Sequence, residues 1–145
     1  MGDLSKDINS KFVNNRVKAL LNILYTANWI SNHQNEFFKP FGISPQQYNI
    51  LRILKGAKEP LNVQVIKDRM IERAPNATRL MDKLCAKQYI ERLPCEYDRR
   101  VVKIAIINKG MELLESIPNN LNKDLLKNLN EEEAEQLSNL LDKMR

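Results

Sequence analysis

Apolar residues recur at helical spacing from Phe12 to about Phe38: Val17, Leu20, Leu21, Leu24, Ala27, Ile30 and Phe37, with no proline or glycine among them. Steps of three and four bring these side chains onto one face of a helix, so the segment predicts a helix of roughly 25 residues. It ends near Lys39-Pro40-Phe41-Gly42. The stripe is too long for one small core to cover, which suggests a partner helix from a second subunit.

Ser44-Pro45-Gln46-Gln47 reads as a helix start, with Ser44 as cap, Pro45 at the first helical position and Gln47 completing a capping box. Tyr48, Ile50, Leu51, Ile53 and Leu54 supply its buried face, and Gly56 is expected to stop it. A short helix is expected from Val63 to Met70 behind the cap Asn62. A third starts at Pro75 or Asn76 and runs to about Lys87, with Leu80, Met81 and Leu84 facing inward.

The period then changes. Tyr89-Ile90-Glu91-Arg92-Leu93 reads as a strand, Pro94 to Arg100 as a charged turn, and Val101 to Ile106 as the returning β-branched strand. Gly110 lies just inside a further helix carrying Met111, Leu113, Leu114 and Ile117, and Pro118 breaks it. The helical pattern resumes through Leu121, Leu125, Leu126 and Leu129. Asn130 with Glu133 forms a second capping box ahead of Leu137, Leu140, Leu141 and Met144. The predicted fold is mainly α with a small antiparallel β-hairpin wing. A winged helix-turn-helix occupies 44–107, flanked by helical dimerisation regions at 1–43 and 108–145.

Composition narrows the class. The 145 residues suit one core, 43% of them are hydrophobic and 28% charged, and the net charge is +5. That charge is uneven: residues 62–103 hold 10 basic and 6 acidic side chains, whereas 104–145 hold 5 and 8. A basic centre suits nucleic acid, and an acidic tail suits subunit pairing away from phosphates. Two cysteines, Cys85 and Cys95, are too few for a disulfide scaffold, which points to a reducing, cytoplasmic setting. No run of about 18 apolar residues marks a membrane span, and the first residues hold no apolar signal core. No glycine-rich phosphate loop, metal-ligand spacing or nucleophile elbow is present, so neither an enzyme nor a cofactor is expected.

Three blocks in order resemble the MarR family (multiple-antibiotic-resistance-type regulators) of winged helix-turn-helix transcription factors. They are Thr78-Arg79-Leu80-Met81-Asp82-Lys83-Leu84 with Tyr89-Ile90-Glu91-Arg92 behind it, the hairpin tip Asp98-Arg99-Arg100, and Ile106 to Gly110. The sequence departs from the family pattern at Ile107, where a threonine cap is usual, so Asn108 is expected to cap instead. Gln88 stands where glycine commonly ends the recognition helix, and Ala74-Pro75 where serine commonly begins it.

The resemblance implies a transcriptional regulator, in its commoner mode a repressor, that binds double-stranded DNA as a homodimer on a pseudo-palindromic operator. On the third helix, Asn76, Thr78, Arg79 and Lys83 are the polar candidates; Asn76 suits adenine and Arg79 guanine in the major groove. The resemblance implies that Arg100 enters the minor groove. Asp98, two residues earlier in the hairpin, is a candidate to orient its guanidinium through an ion pair, and Arg99 is then a phosphate contact or simply solvated. Tyr25, Trp29, His33 and Phe37 are four apart on one helix and form a candidate pocket for a small aromatic or anionic effector, against the plainer reading as core or interface. The single histidine argues against a histidine-rich metal site. Cys95, near Arg92 and Arg99, is a candidate redox-sensitive thiol. The alternative is a winged-helix protein-interaction module or a non-specific architectural DNA binder.

Overall fold

The structure, a computed structural model, describes residues 1–73 and 75–145. The elements are α1 (Leu4–Asp7), α2 (Asn15–Phe38), a 3-10 turn (Lys39–Phe41), α3 (Pro45–Ala57), β1 (Leu61–Asn62), α4 (Val63–Arg69), α5 (Ala77–Ala86), β2 (Ile90–Pro94), β3 (Val102–Ile106), α6 (Asn108–Ser116), α7 (Leu121–Leu125) and α8 (Glu131–Lys143). The chain divides into two compact units at Phe37/Phe38, so residues 108–145 share a unit with the winged helix. No described helix is long and apolar enough to cross a membrane.

In the first unit, α2 begins at Asn15 rather than Phe12. Asn14 sets that start: its side-chain oxygen accepts the Val17 N–H at 2.9 Å, satisfying one of the donors a helix leaves open. The apolar stripe of α2 stands in solvent, with Leu20 52% and Leu24 59% exposed. At the start of the second unit, Gly42 closes the 3-10 turn at φ 70°, the left-handed conformation that a side chain resists.

In the second unit the capping boxes form at both predicted places, Ser44 with Gln47 and Asn130 with Glu133. The α3 helix continues through Gly56 to Ala57. Its stop is Lys58, a left-handed C-cap, which corrects the expectation that Gly56 ends it. The three helices α3, α4 and α5 turn Ile50, Leu51, Leu54, Ile66, Met81 and Leu84 fully inward. Each such side chain contributes about 1.5–3 kcal/mol of burial, and this supports the short α4 and α5, which could not stand alone.

The wing is a three-stranded antiparallel sheet in the order β1-β3-β2, not a bare hairpin. Leu61 pairs with Ile104 and Asn62 with Lys103, while β2 pairs with β3 from Ile90↔Ile106 to Pro94↔Val102. Two residues carry no readable period, so sequence patterning passes over β1, yet it anchors the wing to the helix-turn-helix.

Two further boundaries differ from expectation. Ile107, not Asn108, sits at the N-cap of α6, and no side chain caps that end. The apolar pattern after Pro118 yields only the short α7, leaving Leu126 and Leu129 beyond it and partly exposed. Gln88 adopts φ 63° and ends α5 as a glycine would. The N–H of Tyr89 reaches the Leu84 carbonyl at 3.0 Å and that of Gln88 reaches Cys85 at 2.9 Å, the paired bonds of a Schellman cap. The Ala74 half of the Ala74-Pro75 departure lies outside the described residues.

Candidate nucleic-acid interface

Helix α5 divides into two faces. Ala77, Met81 and Leu84 are buried, while Thr78, Arg79, Asp82 and Lys83 stand in solvent. Arg79 and Lys83 are one turn apart, so they project from the same side. Asn76 occupies the N-cap position, yet its side chain makes no capping hydrogen bond. Its carboxamide is therefore not consumed by the helix end.

Three side-chain contacts hold this helix in place. Gln47, buried at the start of α3, donates from Nε2 to the Leu80 carbonyl at 3.4 Å while its Oε1 accepts the Ser44 N–H at 3.0 Å. At the other end, Lys87 Nζ donates to the carbonyl of Gly42. Arg92 on β2 donates to the Asp82 carboxylate on α5, joining helix and wing. The carboxylate thus pairs with a strand residue and not with Arg79 or Lys83 on its own helix.

The wing tip is a defined turn. Cys95 N–H donates to the Val101 carbonyl and Val101 N–H to the Asp98 carbonyl, both at 3.1 Å. The Asp98 carboxylate accepts the backbone N–H of Arg100 at 2.9 Å. It thus shapes the chain beneath Arg100 and forms no ion pair with its guanidinium, which differs from the expected pairing. Among the described residues the ion pairs are Asp3–Lys6, Asp82–Arg92 and Asp142–Arg145. Arg79, Lys83, Arg99 and Arg100 are in none of them, and all four are exposed. Four exposed cations in no ion pair, on a helix face and a turn, are suited to phosphate oxygens and groove edges.

A cleft of about 330 Å³ lies beside the start of this helix, lined by Gln64, Lys67, Asp68, Met70, Arg73 and Pro75. Lys67 and Arg73 extend the basic surface onto α4 and the turn after it. The signal for them was the basic run Lys67, Arg69, Arg73, which periodicity did not distinguish from a solvated helix face.

The aromatic candidates lie within the first unit. Trp29 and His33 have ring centroids 4.5 Å apart at 50°, and His33 Nδ1 sits 2.9 Å from the Trp29 carbonyl oxygen. Tyr25, Trp29 and His33 are exposed, and Phe37 is half-buried. No cluster of three His, Cys, Asp or Glu side chains that could hold a metal ion occurs among the described residues.

The thiols differ in character. The backbone N–H groups of Tyr97 and Asp98 bond to Cys95 and hold its pKa below the usual thiol value. Lys103 adds a smaller effect, so the expected influence of Arg92 and Arg99 is not the cause. Burial pushes Cys85 upward.

The MarR family model matches residues 43–102, the span from α3 through the wing tip. The chain is 32% identical over 117 residues to the HTH-type transcriptional regulator MhqR of Bacillus subtilis, covering 77% of this chain and 79% of the relative. It is 29% identical over 114 residues to the multiple antibiotic resistance protein MarR of Escherichia coli, covering 76% and 78%. In three dimensions it is similar to a mutant MarR from E. coli crystallised with operator DNA, with 25% identity, a TM-score of 0.80, and 93% of this chain and 99% of that one covered.

Proposed function

We propose that this chain, which belongs to the MarR family of winged-helix transcriptional regulators, binds a specific double-stranded operator as a cytoplasmic homodimer and represses transcription from it. The observation that carries the reading is the placement of Arg79 and Lys83 on the open face of α5 and of Arg99 and Arg100 on the wing turn, none of them committed to an ion pair. In this reading α5 enters the major groove, where Asn76, Thr78, Arg79 and Lys83 meet base edges and phosphates. The wing lays Arg100 in the adjacent minor groove, over a backbone shaped by Asp98, with Arg99 on a phosphate. The similarity to a MarR crystallised with operator DNA supports it.

The exposed apolar stripes support the homodimer. Leu20 and Leu24 on α2 and Leu137 and Leu140 on α8 lie in the stretches 1–43 and 108–145, the assigned dimerisation regions, and stand in solvent in the single chain. A two-fold pair would set two recognition helices about one DNA turn apart, hence a pseudo-palindromic site. A small aromatic anion that releases the DNA would use the Tyr25–Trp29–His33–Phe37 face. The family and fold are those of transcription factors rather than enzymes.

Selection of bound duplexes from a random pool tests the reading. A recurring palindromic motif, bound far more tightly than random duplex and with steep loss on adding salt, is the expected result. Salt-sensitive binding without a preferred sequence would instead indicate an architectural binder, and no duplex binding would indicate a protein-interaction wing. Light scattering should return about 34 kDa, twice the chain's 16.9 kDa; a monomer mass would remove the dimer.

A further inference from the structure

Two large apolar side chains in the second unit stand almost wholly in solvent: Ile71 at 91% exposure and Tyr97 at 96%. Every other exposed large hydrophobic described from Phe38 onward is at 63% or below. Those others lie on β3 or in the helical tail, where a second copy is expected to cover the tail. Ile71 lies instead in the turn before the recognition helix and Tyr97 in the turn between β2 and β3, and both have arginines close in sequence. Ile71 sits between Arg69 and Arg73, and Tyr97 just ahead of Arg99 and Arg100.

Tyr97 is the more informative of the two. Its backbone is held, because the Cys95–Val101, Val101–Asp98 and Arg100–Asp98 hydrogen bonds close the turn around it. Its exposure is thus a property of a defined turn. The ring faces are also uncovered: the cation–π contacts among the described residues are Lys18 on Phe12 and Lys109 on Tyr89, and neither Arg99 nor Arg100 stacks on Tyr97. An aromatic side chain kept open beside two unpaired arginines, with a hydroxyl at its far end, matches a surface that alternates apolar sugar faces with anionic oxygens. The DNA backbone along a minor groove is such a surface.

We propose that Tyr97 is a DNA-contacting residue of the wing, laying its ring against a deoxyribose and its hydroxyl toward a phosphate oxygen, and so setting the depth at which the wing arginines sit. This rests on the DNA-binding reading above. The contact is non-ionic, so it adds affinity without releasing counterions, which separates it from the arginines.

The test uses the full-length protein and the duplex recovered from the random-pool selection, titrated at several salt concentrations. Tyr97→Ala should bind about tenfold more weakly at every salt concentration, with an unchanged slope of log affinity against log salt. Tyr97→Phe should stay within about threefold of the parent, since the ring supplies most of the contact. Arg100→Ala should lose affinity and flatten the slope by about one unit. Circular dichroism should show both tyrosine variants folded, as expected for a side chain that buries nothing. If Tyr97→Ala binds within twofold of the parent while Arg100→Ala is weakened, the Tyr97 contact is refuted and the DNA reading stands. If no duplex is bound with sequence preference, both are refuted.

Discussion

The guanidinium of Arg92, on the first long strand of the wing, donates to the carboxylate of Asp82 on the recognition helix. This pair crosses from the element that would read the major groove to the one that would read the minor groove. It also masks an anion placed between Arg79 and Lys83, on the face proposed to meet phosphates. Both partners are about half exposed, 41% and 54%, so the pair contributes under about 1 kcal/mol to stability. Its larger effect is electrostatic. Arg92→Ala should leave the melting temperature nearly unchanged but weaken operator binding several-fold at low salt, as Asp82 becomes an uncompensated charge facing DNA. Adding Asp82→Asn to Arg92→Ala should recover much of the loss. A double variant as weak as the single one would show that Arg92 itself touches DNA.

Arg100 tests the wing. Its guanidinium is exposed and in no ion pair, and Asp98 holds only its backbone N–H. Arg100→Ala should weaken specific binding by about tenfold or more, in both low-salt and physiological-salt titrations. Asp98→Ala should act in the same direction through a loosened turn, and Asp98→Asn, which keeps the accepting oxygen, should act less. Unchanged affinity in Arg100→Ala removes the wing from the interface.

Gly110 tests how the wing is seated on the body. A Cβ at this position would collide with the Tyr89 carbonyl oxygen and approach Ile106 Cγ1 to 2.9 Å. That carbonyl already accepts the Ile107 N–H at 3.1 Å, so the backbone cannot give way freely. In an open helix Gly→Ala stabilises by about 1 kcal/mol. Here Gly110→Ala should destabilise by about 2 kcal/mol or more, read as a fall in chemical-denaturation midpoint. A rise would show that α6 shifts away at little cost.

The thiols offer a pH test without DNA. Cys95 is held below the usual thiol pKa by the Tyr97 and Asp98 N–H groups, and Cys85 is pushed above it by burial. A lowered pKa means a larger thiolate fraction at any pH beneath it. Alkylation by iodoacetamide, followed by mass spectrometry, should therefore label Cys95 before Cys85 at neutral pH, with the midpoint of Cys95 labelling at the lower pH. Equal rates would show that the wing-turn hydrogen bonds do not persist in solution.

What lay open to sequence reading was whatever short-range chemistry decides. Ser44 with Gln47 and Asn130 with Glu133 specify helix starts because cap and partner are three residues apart and need nothing else. The buried face of α5 follows from the spacing of Met81 and Leu84, and the open face with Arg79 and Lys83 follows with it. The blocks Thr78 to Leu84, Asp98 to Arg100 and Ile106 to Gly110, in that order, carry the resemblance to the family. Contacts between residues far apart in sequence were decided only by the fold. The pairing of Leu61 with Ile104 builds a strand too short to have a period. The partner of Asp82 is a strand residue ten positions away rather than a helix neighbour, because the wing folds back beside α5. The spacing of Asp98 and Arg100 suggests an ion pair, whereas the turn geometry gives the Asp98 oxygen to the Arg100 backbone N–H. Local propensity acts within one helical turn, while the direction a side chain takes at a surface depends on which distant element packs beside it.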